Sequence, residues 1–293
     1  MALHLKHVLC ASAALALFSG AAMADDSVGV NAAIRNSVQE KSSAQQALHP
    51  AVARGPVHLG DQVVSGDNSA LQILLLDKSV FTVGANARMT IDKFVYDPSR
   101  GTSDVAASIA KGAFRFMSGP TLGGQGHNAI SSPVATIGVR GTIVEGAIGA
   151  DAQAILAGEK GVPSGTGSDT TTLIVLRGPG RNGHTFDKPG AIDVTAGGVT
   201  VSAEHAGDAI VIWGPNQVPF GPFPLSDGAF EKLSGLLRTT PGSGGPGTSA
   251  IFGDVGSAAH NSGDNLDIGK IGDIFTQDTT NIELPGTAIP RDD

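Results

Sequence analysis

The residues with most to offer chemically are Arg140, Gly141 and Thr142, which follow an apolar stretch ending at Val139. A guanidinium presents five hydrogen-bond donors and can hold a partner's carboxylate or carbonyls. Beside a glycine between apolar strands it can instead satisfy backbone carbonyls at a bend and tie neighbouring strands together. The second role is favoured, because arginine is seldom buried unpaired. Asp77 and Ser79 raise the same question, and their spacing predicts a turn held by side-chain-to-backbone hydrogen bonds. The histidines His49, His58, His127, His184, His205 and His260 are scattered, with no pair at metal-ligand spacing and no His-Glu-x-x-His set. Glu204-His205 would need a distant serine, and no Gly-x-Ser-x-Gly elbow supplies one. Gly123-Gly124-Gln125-Gly126 and Gly242-Ser243-Gly244-Gly245 lack the context of a phosphate cradle and are predicted loops. Gly263-Asp264-Asn265-Leu266-Asp267 is one imperfect copy of a calcium-binding repeat, which needs stacked neighbours to complete a site. Trp213 could stack a sugar, but a lone tryptophan closing Ile210-Val211-Ile212 is more often a core edge. The residues predict no catalytic set, no metal and no cofactor.

Composition sets the surroundings. Lys6 precedes an apolar run, Val8 to Phe18, and then small residues ending Ala22-Met23-Ala24, the pattern of a secretory signal peptide cleaved after Ala24. The run is about half of the roughly 20 residues that span a bilayer, so no stable membrane insertion is expected after cleavage. The single cysteine, Cys10, lies inside that signal, which leaves an exported chain without disulfides or thiolate metal sites. Past residue 24 there are 18 basic and 27 acidic residues, a net charge of −9. That balance disfavours nucleic acid or an anionic membrane surface as the main partner. Glycine accounts for 41 of 293 residues, about twice the usual share of roughly 7%, and implies many tight turns between short elements.

Those elements are mostly strands. Residues 25–53 form an N-terminal extension with one short strand entering the core. A β domain is expected over 54–215, with apolar runs separated by turn residues at intervals near ten. Leu71 to Leu76 is apolar on nearly both faces and so is covered on both sides. Met89 to Asp92 and Ala113 to Phe116 alternate, with one apolar face. Val134 to Val144 is too long and too glycine-broken for one strand and divides at Gly141. Residues 151–171 shift to Gly, Ser and Thr, an exposed insertion. Short strands then resume at Leu173–Leu176, Ile192–Thr195, Val199–Ser202 and Ile210–Trp213 and extend the same domain. Residues 216–240 hold a linker and a short helix, capped by Ser226 with Phe230, Leu233 and Leu237 on one side. Residues 241–293 are a Gly-rich tail too poor in pattern to offset the entropy of ordering it.

Four stretches, in order, carry a resemblance. Gly60-Asp61-Gln62-Val63-Val64-Ser65-Gly66 leads into Ser69 to Ser79. Phe81-Thr82-Val83-Gly84-Ala85-Asn86 continues to Asp97-Pro98, followed by Lys111-Gly112-Ala113-Phe114-Arg115-Phe116. The closing stretch is Ser132-Pro133-Val134-Ala135-Thr136-Ile137-Gly138-Val139-Arg140-Gly141-Thr142. Together, over residues 60–142, these resemble the FecR domain, and in particular its standalone exported members. The resemblance implies a compact β-solenoid or β-helix-like fold and a periplasmic signalling and interaction module. It marks Asp77, Ser79, Pro133, Arg140, Gly141 and Thr142 as family-motif residues that could contact a partner. Well-known members sense an outer-membrane receptor and signal to a sigma factor through a cytoplasmic segment. Only about seven residues precede the apolar run here, so sigma-factor regulation is not expected. The function expected is that of an exported, non-catalytic sensing or protein-interaction module of the Gram-negative envelope, periplasmic or secreted, with an envelope protein as partner. The alternative is a surface-associated structural or polysaccharide-binding protein. A hydrolase assembled from distant strands ranks last.

Overall fold

Short β-branched runs broken by glycine, asparagine and aspartate become strands joined by tight turns. The computed structural model describes residues 27–43, 47–119, 126–163, 165, 167–178 and 190–239. The expected signal peptide, the Gly123 to Gly126 loop apart from Gly126, and the C-terminal tail with its two glycine-rich motifs lie outside them. The chain begins with β1 (Ser27–Arg35), β2 (Val38–Lys41), β3 (His49–Pro50) and β4 (Pro56–His58). It continues through β5 (Gln62–Ser65), β6 (Ala70–Leu75), β7 (Val80–Val83) and β8 (Arg88–Asp97) into the long β9 (Thr102–Met117). β10 (His127–Ser131), β11 (Thr136–Arg140) and β12 (Ile143–Ile148) precede helix α1 (Ala150–Leu156). β13 (Thr172–Gly178), β14 (Ala191–Ala196), β15 (Val199–Ala203), β16 (Asp208–Ile212) and β17 (Phe220–Pro224) lead to helix α2 (Asp227–Leu236).

The strands form two layers. Sheet A runs β4-β1-β6-β7-β9-β12-β13-β16-β17, antiparallel throughout. Sheet B runs β3-β2-β5-β8-β9-β10-β11-β14-β15, antiparallel except where β9 meets β10. β9 belongs to both: Thr102 to Lys111 pair within sheet B, and Gly112 to Met117 within sheet A. The chain is therefore mainly β, as its composition predicts. The resemblance also implied a solenoid, whose coils stack in parallel. Here the ladder is open and mixed, and β9 with β10 is the one parallel pair among the described strands. Short turns between β6 and β7, β8 and β9, β10 and β11, and β14 and β15 impose antiparallel pairing, because a two- to four-residue link can only fold a strand back beside itself.

The main core lies between the sheets. Leu71, Ile73, Phe81, Phe114, Phe116 and Ile174 from sheet A meet Met89, Ile91, Ile109, Ile137 and Ile192 from sheet B. The rings of Phe81 and Phe116 lie 4.5 Å apart at 37°, a tilted contact. Helices α1 and α2 cover part of the outer face of sheet A, where Ala113, Ala147, Leu173, Val175 and Val211 pack with Ile155, Leu156, Phe230 and Leu233. The outer face of sheet B stays in water, with pairs such as Lys93 with Asp104 and Thr195 with Thr200. A strand with one wet face alternates, and one covered on both faces does not. β9 shows both patterns, alternating from Ser103 to Ile109 and then buried at every position from Gly112 to Met117.

Three expectations about organisation differ from the structure. The N-terminal extension holds three strands, and β1 is wedged between β4 and β6; its polar Asn31 and Arg35 hid that role. The segment read as an exposed insertion opens with α1, whose Ala152, Ile155 and Leu156 are buried, because a helix presenting only small and aliphatic residues to a sheet needs no longer apolar run. The segment read as linker contains β17, paired to β16 despite its two prolines, since an edge strand can spare the N–H groups that proline lacks. The Ser226 hydroxyl accepts from Ala229 N at 3.3 Å and caps α2, with Phe230, Leu233 and Leu237 buried against the sheet.

The crossing of β9 between layers requires its glycine. Gly112 has φ +80, and a Cβ there would lie 2.3 Å from Ala87 Cα. Gly112→Ala is expected to cost about 3 kcal/mol, combining left-handed strain with a backbone clash. Urea unfolding should show this as a lower midpoint at unchanged slope. An unchanged midpoint would show that β9 can bend without it.

Candidate interaction site

One end of the two sheets gathers three of the family-motif residues. Lys78 has φ 67 at the centre of the β6–β7 turn, and Asp77 closes that turn by accepting from Ser79 N at 2.9 Å and from Ser79 Oγ at 2.8 Å. Asp77 Oδ2 also accepts from Ser103 Oγ at 2.5 Å, so a carboxylate in a sheet A turn pins the start of β9 in sheet B. Ser79 Oγ in turn accepts from Gly119 N at 2.9 Å. A Cβ on Gly119 would lie 2.2 Å from the Asp77 carbonyl oxygen, so the approach is possible only without a side chain. Next to Gly119, Ser118 donates through N and Oγ to the Thr142 carbonyl, at 3.2 and 3.1 Å. Thr142 Oγ1 donates onward to the Gly178 carbonyl. The result is a continuous buried clamp from Ser103 through Asp77, Ser79, Ser118-Gly119 and Thr142 to the end of β13. All five of its polar side chains are buried, and each hydrogen bond offsets the cost of desolvating them.

The other motif residues lie outside the clamp. Gly141, φ +56 with open space where a Cβ would stand, turns the chain from β11 in sheet B to β12 in sheet A. Arg140, one residue before it, is 59% exposed and its Nη2 lies 3.1 Å from Asp193 Oδ1 on β14. It ties neighbouring strands through a carboxylate, not through the backbone carbonyls that were expected. Asp193 also accepts from Ser202 Oγ at 2.5 Å, so the group spans β11, β14 and β15 on the wet face, where an ion pair contributes at most about 1 kcal/mol. Pro133 is exposed at the far end of β11, in a turn closed by Ser132, whose Oγ accepts from Ala135 N at 3.0 Å.

Two charged groups escaped the reading of the sequence. Arg115, Glu145 and Arg177 meet on the outer face of sheet A: Arg115 Nε is 2.7 Å and Arg177 Nε 3.3 Å from Glu145 Oε1, and the Arg177 guanidinium stacks 4.8 Å over Phe230. In sequence Arg115 looks like the wet side of an alternating strand, and only the added layer over sheet A buries it. Its one signal is Glu145, a charge inside the otherwise apolar Ile143 to Ile148. The second group is Glu40 at the other edge. Burial pushes its carboxyl above the ordinary range, Asn31 Nδ2 at 2.8 Å and His49 oppose that rise, and Asp61 adds to it.

The remaining candidates are local. His205 and His58 each reach an aspartate three residues on, at 3.3 Å, within their own turns, and Glu204 joins no such pair among the described residues. No group of three or more His, Cys, Asp or Glu converges among the described residues. Trp213 is half-buried against the second apolar cluster, with its ring close to Gly165. No helix among the described residues is long and apolar enough to cross a membrane.

The clamp and Glu40 each yield a measurable consequence. Asp77→Ala leaves one N–H and two hydroxyls without their acceptor and is expected to cost about 3 kcal/mol. Combining it with Ser103→Ala should cost less than the sum of the two singles; strict additivity would mean the two do not share the bond. Glu40 holds its proton more tightly folded than unfolded. Its carboxyl therefore opposes folding increasingly as pH rises from the ordinary value of about 4.3 towards the raised one. Glu40→Gln should raise Tm at pH 7 and change it little below about pH 4. The reverse pattern would show that the carboxylate is a net stabiliser.

No curated protein matches the chain. Two crystal structures described as a "putative anti-sigma factor" from Parabacteroides distasonis ATCC 8503 are similar to it, with a TM-score of 0.36 and 10% and 11% identity. Each alignment covers 56% of this chain and 60% of that one. The family described as FecR protein matches residues 61–161, a span that opens at the start of β5, contains the Asp77 clamp and the Gly141 turn, and closes after α1. Over that span the chain carries a FecR domain.

Proposed function

We propose that this chain is an exported, non-catalytic sensing module that binds another protein of the bacterial envelope. The contact is assigned to the end of the sheets where the motif turns meet. The observation that carries this reading is how the motif residues divide there. Asp77, Ser79 and Thr142 are spent on the internal clamp, which holds Leu76, Lys78, Arg140 and Gly141 exposed beside it. A rigid turn cluster presenting one apolar and two basic side chains suits a protein surface with an apolar centre and acidic rim. Pre-ordering those turns reduces the entropy lost on binding. Export is supported by the N-terminal sequence pattern, and a sensing role by the FecR domain.

The test places a photoreactive residue at Lys78, which is exposed where Ser79 is buried, in cells of the native host. The expected outcome is one strong adduct, identified by mass spectrometry as an envelope protein, and lost when Leu76 and Arg140 are both changed to Glu. A protein recovered free, or bound only to glycan, would sink the reading.

A further inference from the structure

The outer face of sheet A is only partly covered by the helices. Across it, Gln72, Thr82, Arg115 and Glu145 stand directly opposite one another on β6, β7, β9 and β12, and the next row carries Leu74, Val80, Met117 and Ile143. Two features of this strip bear on what lies over it. Val80 and Met117 are 9% and 4% exposed, yet they belong to neither of the apolar clusters, including the one built with α1 and α2. Arg115 and Arg177 are 7% and 12% exposed and share a single carboxylate, Glu145. A net positive charge held out of water is costly unless an anion compensates it.

Three segments outside the described residues follow elements of this layer, β9, β13 and α2. Residues 120–125 carry no charge, and residues 179–189 carry Arg181 and Lys188 against Asp187, the wrong sign for two arginines. Residues 240–293 carry eight acidic side chains and two basic ones, interleaved with apolar residues as in Leu266-Asp267-Ile268 and Asp273-Ile274-Phe275. That segment also starts in the right place. Ala85 N donates to the Leu236 carbonyl at 2.9 Å, and Leu237 lies against Gly84. The end of α2 thus lies beside the C-terminal end of β7, the strand that bears Val80 and Thr82. Tethering so close raises the effective concentration of the acidic segment at the strip.

We propose that the C-terminal segment, residues 240–293, docks on this strip of sheet A, its carboxylates facing Arg115 and Arg177 and its apolar side chains covering Val80 and Met117. The proposal is independent of the envelope partner. The docked segment occupies a sheet face, whereas the assigned partner contact lies at the turn end.

The test uses the full chain with a photoreactive residue at Leu74, on the same face, and in a second variant at Val30, paired to Leu74 and exposed. After irradiation of dilute protein, the expected result is an intramolecular crosslink to a peptide from residues 240–293 at one or both positions. The yield should fall several-fold in high salt, and likewise when the eight carboxylates of the segment are changed to amides. Crosslinks only to residues 179–189, crosslinks only to a second copy, or none to the C-terminal segment would overturn the proposal. A C-terminal crosslink indifferent to both salt and neutralisation would overturn its electrostatic part.

Discussion

β9 is hydrogen-bonded along its first part to β8 and β10 and along its second part to β7 and β12, and the change of partners falls at Gly112. Every other described strand belongs to a single layer, so the register of one sheet against the other is transmitted through this strand. The consequence is visible in burial, which alternates before Gly112 and becomes continuous after it. A strand shift of one residue would turn Phe114 and Phe116 out of the inter-sheet core and carry Arg115 into it, a cost no other contact could offset. The glycine also lets Ala87 approach the bend, so the crossing is packed as well as bonded.

The clamp solves the complementary problem at the turn end. Two stacked sheets hold their faces together by apolar burial, which is non-directional. Hydrogen bonds at the strand ends add direction: Asp77 reaches Ser103 across the layers, and Thr142 joins the ends of β9 and β13. Because the polar atoms are fully buried, a misplaced turn would leave several donors without acceptors. The same fixity holds Lys78, Leu76 and Arg140, all exposed, in a constant arrangement.

The buried Arg115, Glu145 and Arg177 group follows another logic. Ion pairs out of water seldom add net stability over apolar packing, and Glu145 Oε2 accepts no hydrogen bond among the described residues. Phe230 of α2 already stacks on Arg177, and the remaining positive charge favours an acidic neighbour over a neutral one.

By itself the sequence determined the strand character of the chain, the FecR resemblance of residues 60–142, the break at Gly141, the cap at Ser226 and the turn at Asp77 and Ser79. Each of these depends on residues close together in the chain: alternation of apolar side chains, a glycine where φ is positive, a hydroxyl or carboxylate within reach of a nearby N–H. Only the tertiary structure decided that Ser103, Ser118 and Thr142 complete the clamp, that Arg140 answers Asp193, and that Arg115 is buried. Those contacts join residues 24 to 53 positions apart. The local pattern around Arg115, apolar on one side and charged on the other, is the same for a strand facing water as for one facing a second layer. Which of the two it faces is set by where α2 and the neighbouring strands come to rest, and that is a property of the whole fold.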